Sequence, residues 1–286
     1  MRRLLIALTL ILLTTAAYGG KNVTWNVGDG DECNGRHFQF NSRRAFVAEE
    51  TIEAGNLASL RLSVENSPVT VMGGSSRGYS ITVCKAAEAA DMLDDIHVTV
   101  SGGELRAAGP DNGDWVVAYR ILAPDRANVN IEARNGPVAF RGLNGTVVAR
   151  MSNGPVSLDD VDGDVDVLTK NGPVSIEGGS GNIKLRATNG PLSVDLDGRR
   201  FDGTLDATTQ NGPLTVRIPS GYGSRVVVES RGRGPVSCHA DGCGKARNSS
   251  DDWWDDNDRP RRFEFGSGAE NVHVSTVNGP LTIRQD

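Results

Sequence analysis

From residue 127 to residue 218 apolar and polar side chains alternate with a period of two, and the same three residues interrupt the alternation at intervals. Val129, Ile131 and Ala133 lead into Asn135-Gly136-Pro137, Val147, Ala149 and Met151 into Asn153-Gly154-Pro155, and Val165, Val167 and Thr169 into Asn171-Gly172-Pro173. Ile183, Leu185 and Ala187 then lead into Asn189-Gly190-Pro191. A period of two is that of a strand with one buried face. After each Asn-Gly-Pro the pattern restarts as apolar, small polar, apolar, as in Val156-Ser157-Leu158, Val174-Ser175-Ile176 and Leu192-Ser193-Val194. Each period therefore predicts two short strands. A glycine eight residues before the asparagine, at Gly145, Gly163, Gly181 and Gly203, predicts a second corner.

Asn135, Asn153, Asn171 and Asn189 are eighteen residues apart, and Asn211 and Asn278 head two further copies. A fixed period of this kind signals stacked repeats. The expected fold is all-β, a parallel β-solenoid with coils of about 18 residues, in which these six asparagines are structural corners. Asparagine tolerates the left-handed region, glycine adopts it freely, and proline opens the next strand where the ladder has only begun. Stacked coils would also align the asparagine amides into a ladder. Antiparallel hairpins are the competing reading, because Asn-Gly between apolar strands is a hairpin signal. A proline straight after the glycine would remove a donor beside every such turn, which favours stacking.

Leu60, Leu62 and Val64 before Asn66, and residues 233–238 with Arg233 in the asparagine's place, read as less regular coils. The rest of the N-terminal half reads as strands with one short helix over "CKAAEAADMLDD", residues 84–95. A single coil cannot stand without neighbours, so the terminal coils must be capped or must associate.

The first residues put Arg2 and Arg3 before an apolar run from Leu4 to Leu13 and then small residues, the layout of a secretory signal peptide over 1–19. The run is shorter than the roughly twenty residues of a membrane-spanning helix, so no membrane span is expected after cleavage. Export to the periplasm, the cell surface or the medium follows. The chain carries 30 basic and 36 acidic residues, and loss of the two leader arginines makes it more acidic. With no basic stripe, nucleic acid is not an expected partner. Four cysteines suit disulfides in an oxidising compartment. The Asp241-Gly242 turn favours a local Cys238–Cys243 bridge, which leaves Cys33 with Cys84. A zinc site on Cys238, His239 and Cys243 would lack a fourth ligand and the usual C-x-x-C spacing.

The leader, the segment "YRILAPDRANVNIEARNGPVAFRGLNG" and the repeated "NGPV" corners together resemble the DUF4097 family of bacterial adhesins over roughly residues 45–286. The resemblance implies a β-solenoid-like exported or envelope protein and brings no catalytic residue with it. The chain departs from the family in the regularity of its corners and in an insertion at 239–262. The expected organisation is thus a signal peptide at 1–19, a lead-in at 20–44 and a repeat domain at 45–286 with regular coils over 127–218.

Candidate chemistry is sparse. "GSSRG" places Ser76 in a nucleophile-elbow pattern, but a strand follows where that chemistry needs a helix. The acids of "DDVDGDVD", Asp159 to Asp166, fail the EF-hand spacing, and the valines between them claim the inward face. Asp159, Glu177 and Asp195 each stand six residues after a corner asparagine, so stacking would place them about 4.8 Å apart on one outward column. Paired carboxylates can cleave polysaccharides; the plain alternative is a solvated acidic ladder. Trp253 and Trp254, set among acids, are candidate partner contacts. The four histidines form no ligand pattern. The expectation is a noncatalytic adhesin or envelope scaffold with no cofactor or metal. An envelope protein or a polysaccharide is the expected partner, along with self-association through the solenoid ends. The alternative is a carbohydrate-active lyase or hydrolase.

Overall fold

The computed structural model describes residues 13–18, 21–26, 33, 38–75, 78–232, 234–241, 243 and 261–285. Two eleven-stranded sheets bury their facing side chains in one core, and a four-stranded sheet lies outside them. Along the chain, strands alternate between the two large sheets. The long strands Ala127–Asn135, Asn144–Asn153, Asp162–Asn171, Ser180–Asn189 and Gly203–Asn211 lie side by side in one. The short strands Val138–Arg141, Val156–Asp159, Val174–Glu177, Leu192–Asp195 and Leu214–Ile218 lie side by side in the other. One long and one short strand make a rung.

Neighbouring rungs pair in parallel and in register, Val147 against Val165, Val167 against Leu185 and Val156 against Val174. Parallel pairing rules out antiparallel hairpins at these corners. The alternation read from sequence is the burial pattern: Val165, Val167, Thr169, Val174 and Ile176 of one rung are all buried. Each aliphatic side chain so buried contributes roughly 1.5–3 kcal/mol, realised only when a neighbouring rung covers it.

The corners pack backbone on backbone. Gly172 has φ 142°, and a Cβ there would collide with the carbonyl oxygen of Gly154 one rung below. The asparagine does not itself take the left-handed conformation, contrary to the sequence expectation; it ends the long strand, and the glycine after it makes the turn.

At both ends the spatial order departs from chain order. Rung Leu60–Asn66/Val69–Ser75 lies between strands of 104–124 on one side and of 127–141 on the other. Rung Glu270–Asn278/Leu281–Gln285 lies between Gly203–Asn211/Leu214–Ile218 and Arg225–Ser230/Val236–His239. The N-terminal end of the stack finishes in antiparallel strands, His97–Ser101 on the long-strand sheet and Tyr79–Ala87 with Phe46–Gly55 on the short-strand sheet. Partly buried Met92 and Leu93 pack against the core there.

The short helix expected over 84–95 does not form. Cys84 to Ala87 continue the strand Tyr79–Ala87, and only a four-residue 3-10 turn, Ala90–Leu93, remains. The reason is burial on both faces: Val83 and Ala87 face the main core, while Cys84 and Ala86 lie under Phe38 and Phe40 of the outer sheet. Packing of that kind outweighs the helix propensity of alanine. The Cys33–Cys84 disulfide ties the outer layer to the same strand. Within the expected leader, Leu13–Tyr18 pairs antiparallel with Lys21–Asn26. Residues 1–12 and 19–20 lie outside the described residues.

Candidate functional site

Because rungs repeat in register, every outward position becomes a column running along the stack. On the short-strand sheet the first column is Ala139, Ser157, Ser175, Ser193, Thr215 and Thr282. Two residues further along each strand, the second is Arg141, Asp159, Glu177, Asp195, Arg217 and Arg284. Neighbours in a column are separated by about one strand spacing, 4.8 Å. The face thus carries a strip of small, mostly hydroxylated side chains beside a charged strip whose three central acids have arginines at both ends.

Charge within the second column is unevenly compensated. Arg217 forms an ion pair with Asp195. Glu177 has a carboxylate in register on each side. Its carboxyl is held above the usual range, first by burial and then by Asp159, Asp195 and Asp160, with Arg217 opposing. Stacking therefore brings together the three acids singled out in the sequence. The arginines that bracket them share the same spacing from the corners, a signal the acids alone did not draw out.

The long-strand sheet presents a denser ionic face. Arg150 and Arg186, from the rungs on either side, each donate to Asp166 at 2.7 Å. Burial alone would push the Asp166 carboxyl up, but the two guanidinium groups outweigh it and hold it below the usual range. Asp162 accepts from Ser180 at 2.6 Å and Asp164 from Asn182 at 2.9 Å. The acids of residues 159–166 are thus split between the two faces. Among the described residues no group of three His, Cys, Asp or Glu side chains is arranged to hold a metal.

The corner asparagines form one ladder with a single direction. Asn135 donates its amide to Asn66 at 2.6 Å, Asn153 to Asn135 and Asn171 to Asn153 at 2.9 Å. Asn189, Asn211 and Asn278 each donate to the preceding asparagine at 3.0 Å. Cys238 and Cys243 form the second disulfide, beside the terminal short strand Val236–His239, so neither sulfur is a free metal ligand. Trp253, Trp254 and Ser76 lie outside the described residues, as does Arg233. Two disulfides suit an oxidising compartment, and among the described residues no helix is long and apolar enough to cross a membrane.

No family model matches the chain, and no curated protein does. Among solved structures it is similar to a "putative cell adhesion protein" from Clostridium sporogenes at 13% identity, covering 85% of this chain and 100% of that one with a TM-score of 0.33. A "putative adhesin" from Bacteroides fragilis matches at 8% identity over 84% and 97% of the two chains, TM-score 0.35. A "putative lipid binding protein" from Parabacteroides distasonis matches at 10% identity over 84% and 96%, TM-score 0.29. Likenesses at these TM-scores carry no argument about what the chain does.

Proposed function

We propose that the stack is a parallel β-solenoid and that the protein is a noncatalytic, exported adhesin or envelope scaffold of the DUF4097 type. The observation that carries this reading is the outward face of the short-strand sheet, with its hydroxyl strip beside its charged strip. Such a face offers the same small contact at every rung, which suits an extended partner lying along the stack, a polysaccharide or an envelope protein. The hydroxyls donate and accept hydrogen bonds, and the charged strip offers acids at its centre and arginines at both ends. The leader at 1–19 and the disulfides fit export. Trp253 and Trp254 add a second candidate contact.

A second reading has one observation in its favour. Glu177 holds its proton more strongly than an ordinary carboxyl and stands between Asp159 and Asp195, and a raised carboxyl beside an ionised one is the arrangement a glycosidic acid catalyst needs. Incubating the purified mature protein with a panel of cell-envelope and extracellular polysaccharides separates the two. Retention without released reducing or unsaturated ends supports the adhesin. Released ends that disappear in Glu177→Gln establish the enzyme instead. Neither result leaves a protein partner, tested by pull-down with the S175R variant as the blocked face.

A further inference from the structure

The rung at 270–285 follows both of its neighbours in the sequence yet sits between them, and one side chain on it reaches both. His273 pairs in the sheet with Asp206 of Gly203–Asn211 on one side and with Val227 of Arg225–Ser230 on the other. Its Nδ1 lies 3.4 Å from Asp206 Oδ1, and its Nε2 lies 3.4 Å from Glu229 Oε2. The two ring nitrogens thus face carboxylates on the two strands that the inserted strand separates.

The surroundings fix what the ring can do. Glu229 is 8% exposed, and its other oxygen, Oε1, accepts from Arg262 Nη1 at 2.7 Å on the antiparallel strand Arg261–Phe265. Arg231 stands 3.8 Å from Oε2. Arg262 is shared with Glu264, which also accepts from Arg225. On the far side Lys184 is the in-register neighbour of Asp206. A neutral imidazole has a single N–H, so it can donate to one carboxylate while turning a lone pair toward the other; an imidazolium donates to both.

We propose that His273 is a proton-operated clamp on the inserted rung. Protonated, it ties Glu270–Asn278 to the strands on either side. Neutral, it releases one of the two ties and sets a lone pair against a carboxylate oxygen. The sign follows from the geometry: both ties are held when the ring carries two protons and one is given up when it carries one, so this end loosens as the ring loses a proton. Opening is confined to the end of the stack, because the regular rungs over 144–195 carry no histidine.

Hydrogen exchange of the full chain at about pH 5.5 and about pH 8 tests the clamp. Protection at Val274 and Leu281 is read relative to Val167 and Val174, which removes the intrinsic pH dependence of exchange. The expected result is a relative protection roughly three- to tenfold lower at the higher pH. In His273→Gln that ratio should be the same at both pH values. An unchanged ratio in the wild type, or an undiminished pH dependence in His273→Gln, overturns the proposal. Should His273→Gln fail to fold, Asp206→Asn removes only the exposed partner. It should reduce the pH dependence, and full retention of that dependence would equally overturn the clamp.

Discussion

The two ends of the stack use the same topological move in opposite chain order. At the N-terminal end the rung at 60–75 is made first, and later strands add to its two open edges, 104–124 on one side and 127–141 on the other. At the C-terminal end the flanking rungs are made first, and 270–285 must enter between them. The first arrangement needs only exposed edges to grow on. The second needs a gap, or a neighbour that docks late, so the parallel edges of 203–218 stay open until residues 270–285 pair with them. Open edges are where strands from elsewhere pair. Among the described residues the ends differ in covering as well: antiparallel strands close both sheets at the N-terminal end, whereas at the other the antiparallel strand Arg261–Phe265 closes the long-strand sheet alone.

Burying an unpaired carboxylate in each of these two rungs gives the largest expected effect. Leu62→Asp and Val274→Asp both replace core side chains, 2% and 0% exposed, and each should cost about 3–5 kcal/mol. Stacked repeats respond locally. Exchange measured by mass spectrometry should therefore show Val274→Asp losing protection over 225–239 and 261–285 while 144–195 stays protected. Leu62→Asp should lose it over 46–124. Loss across the whole chain in either variant would mean that the stack folds as one cooperative unit and that the contrast between the ends has no energetic meaning.

Next come glycines with positive φ, where a stacked corner and the turn between Leu214–Ile218 and Arg225–Ser230 part company. Gly172→Ala forces a side chain into a backbone conformation worth about 1–3 kcal/mol of strain and drives the Cβ into the Gly154 carbonyl, for which a further penalty is expected. Gly221 also has a positive φ, 71°, but nothing lies within 4 Å of a Cβ there. Gly221→Ala should cost only about 1 kcal/mol. Denaturant midpoints for the two variants, at equal m-values, make the comparison. Equal costs would show that conformation, and not the close approach of stacked corners, sets the need for glycine.

How much of this was legible follows from what a period can encode. Alternation at Val165, Val167 and Thr169 marked buried positions, and the equal offset of Asp159, Glu177 and Asp195 from their corners placed them in one column. Spatial order at the C-terminal end was not readable, because 236–239 and 281–285 carry the same strand pattern and either fits the same slot. The segment 84–95 was misread because its alanines satisfy a helix as well as a strand buried on both faces, and only the outer layer with Phe38 and Phe40 decides between them. His273 passed unnoticed for a related reason. Its partners, Asp206 and Glu229, are distant in sequence, and one is brought near only by the out-of-order rung.

The asparagine ladder distinguishes an interior position from an end. Asn171→Ala removes three side-chain hydrogen bonds, one to Asn153, one to the Ser152 carbonyl at 3.4 Å and one from Asn189. Asn278→Ala removes the one it makes to Asn211. All these amides are solvent-exposed or nearly so, which places the expected losses near the low end for hydrogen bonds, about 1 kcal/mol and about 0.5 kcal/mol. A larger loss at Asn278 than at Asn171, read from thermal midpoints, would place the weight of the ladder on the inserted rung.

The smallest effect is the one whose sign is most informative. The Glu177 carboxyl is held above its ordinary range by burial and by its acidic neighbours, so its ionised form is disfavoured in the folded chain. For an acid raised in this way, the penalty is fully present at pH above the folded value. It is relieved as pH falls below the ordinary carboxyl range, where folded and unfolded chains both hold the proton. Glu177→Gln should therefore stabilise near neutrality, and by less than about 0.5 kcal/mol because water screens an exposed column. The gain should vanish in acid. Asp166→Asn on the opposite face should behave inversely. Its carboxyl is held low by Arg150 and Arg186, so the substitution destabilises above the ordinary carboxyl range and loses its effect as pH falls through the lowered value. Stability curves of the two variants should thus depart from wild type in opposite directions near neutrality, with Glu177→Gln rejoining it as pH falls through the ordinary carboxyl range and Asp166→Asn only below that range. If Glu177→Gln destabilised at neutral pH instead, the central acids would be held by something other than mutual repulsion, and a bound counter-ion or partner group at that column would become the simplest account.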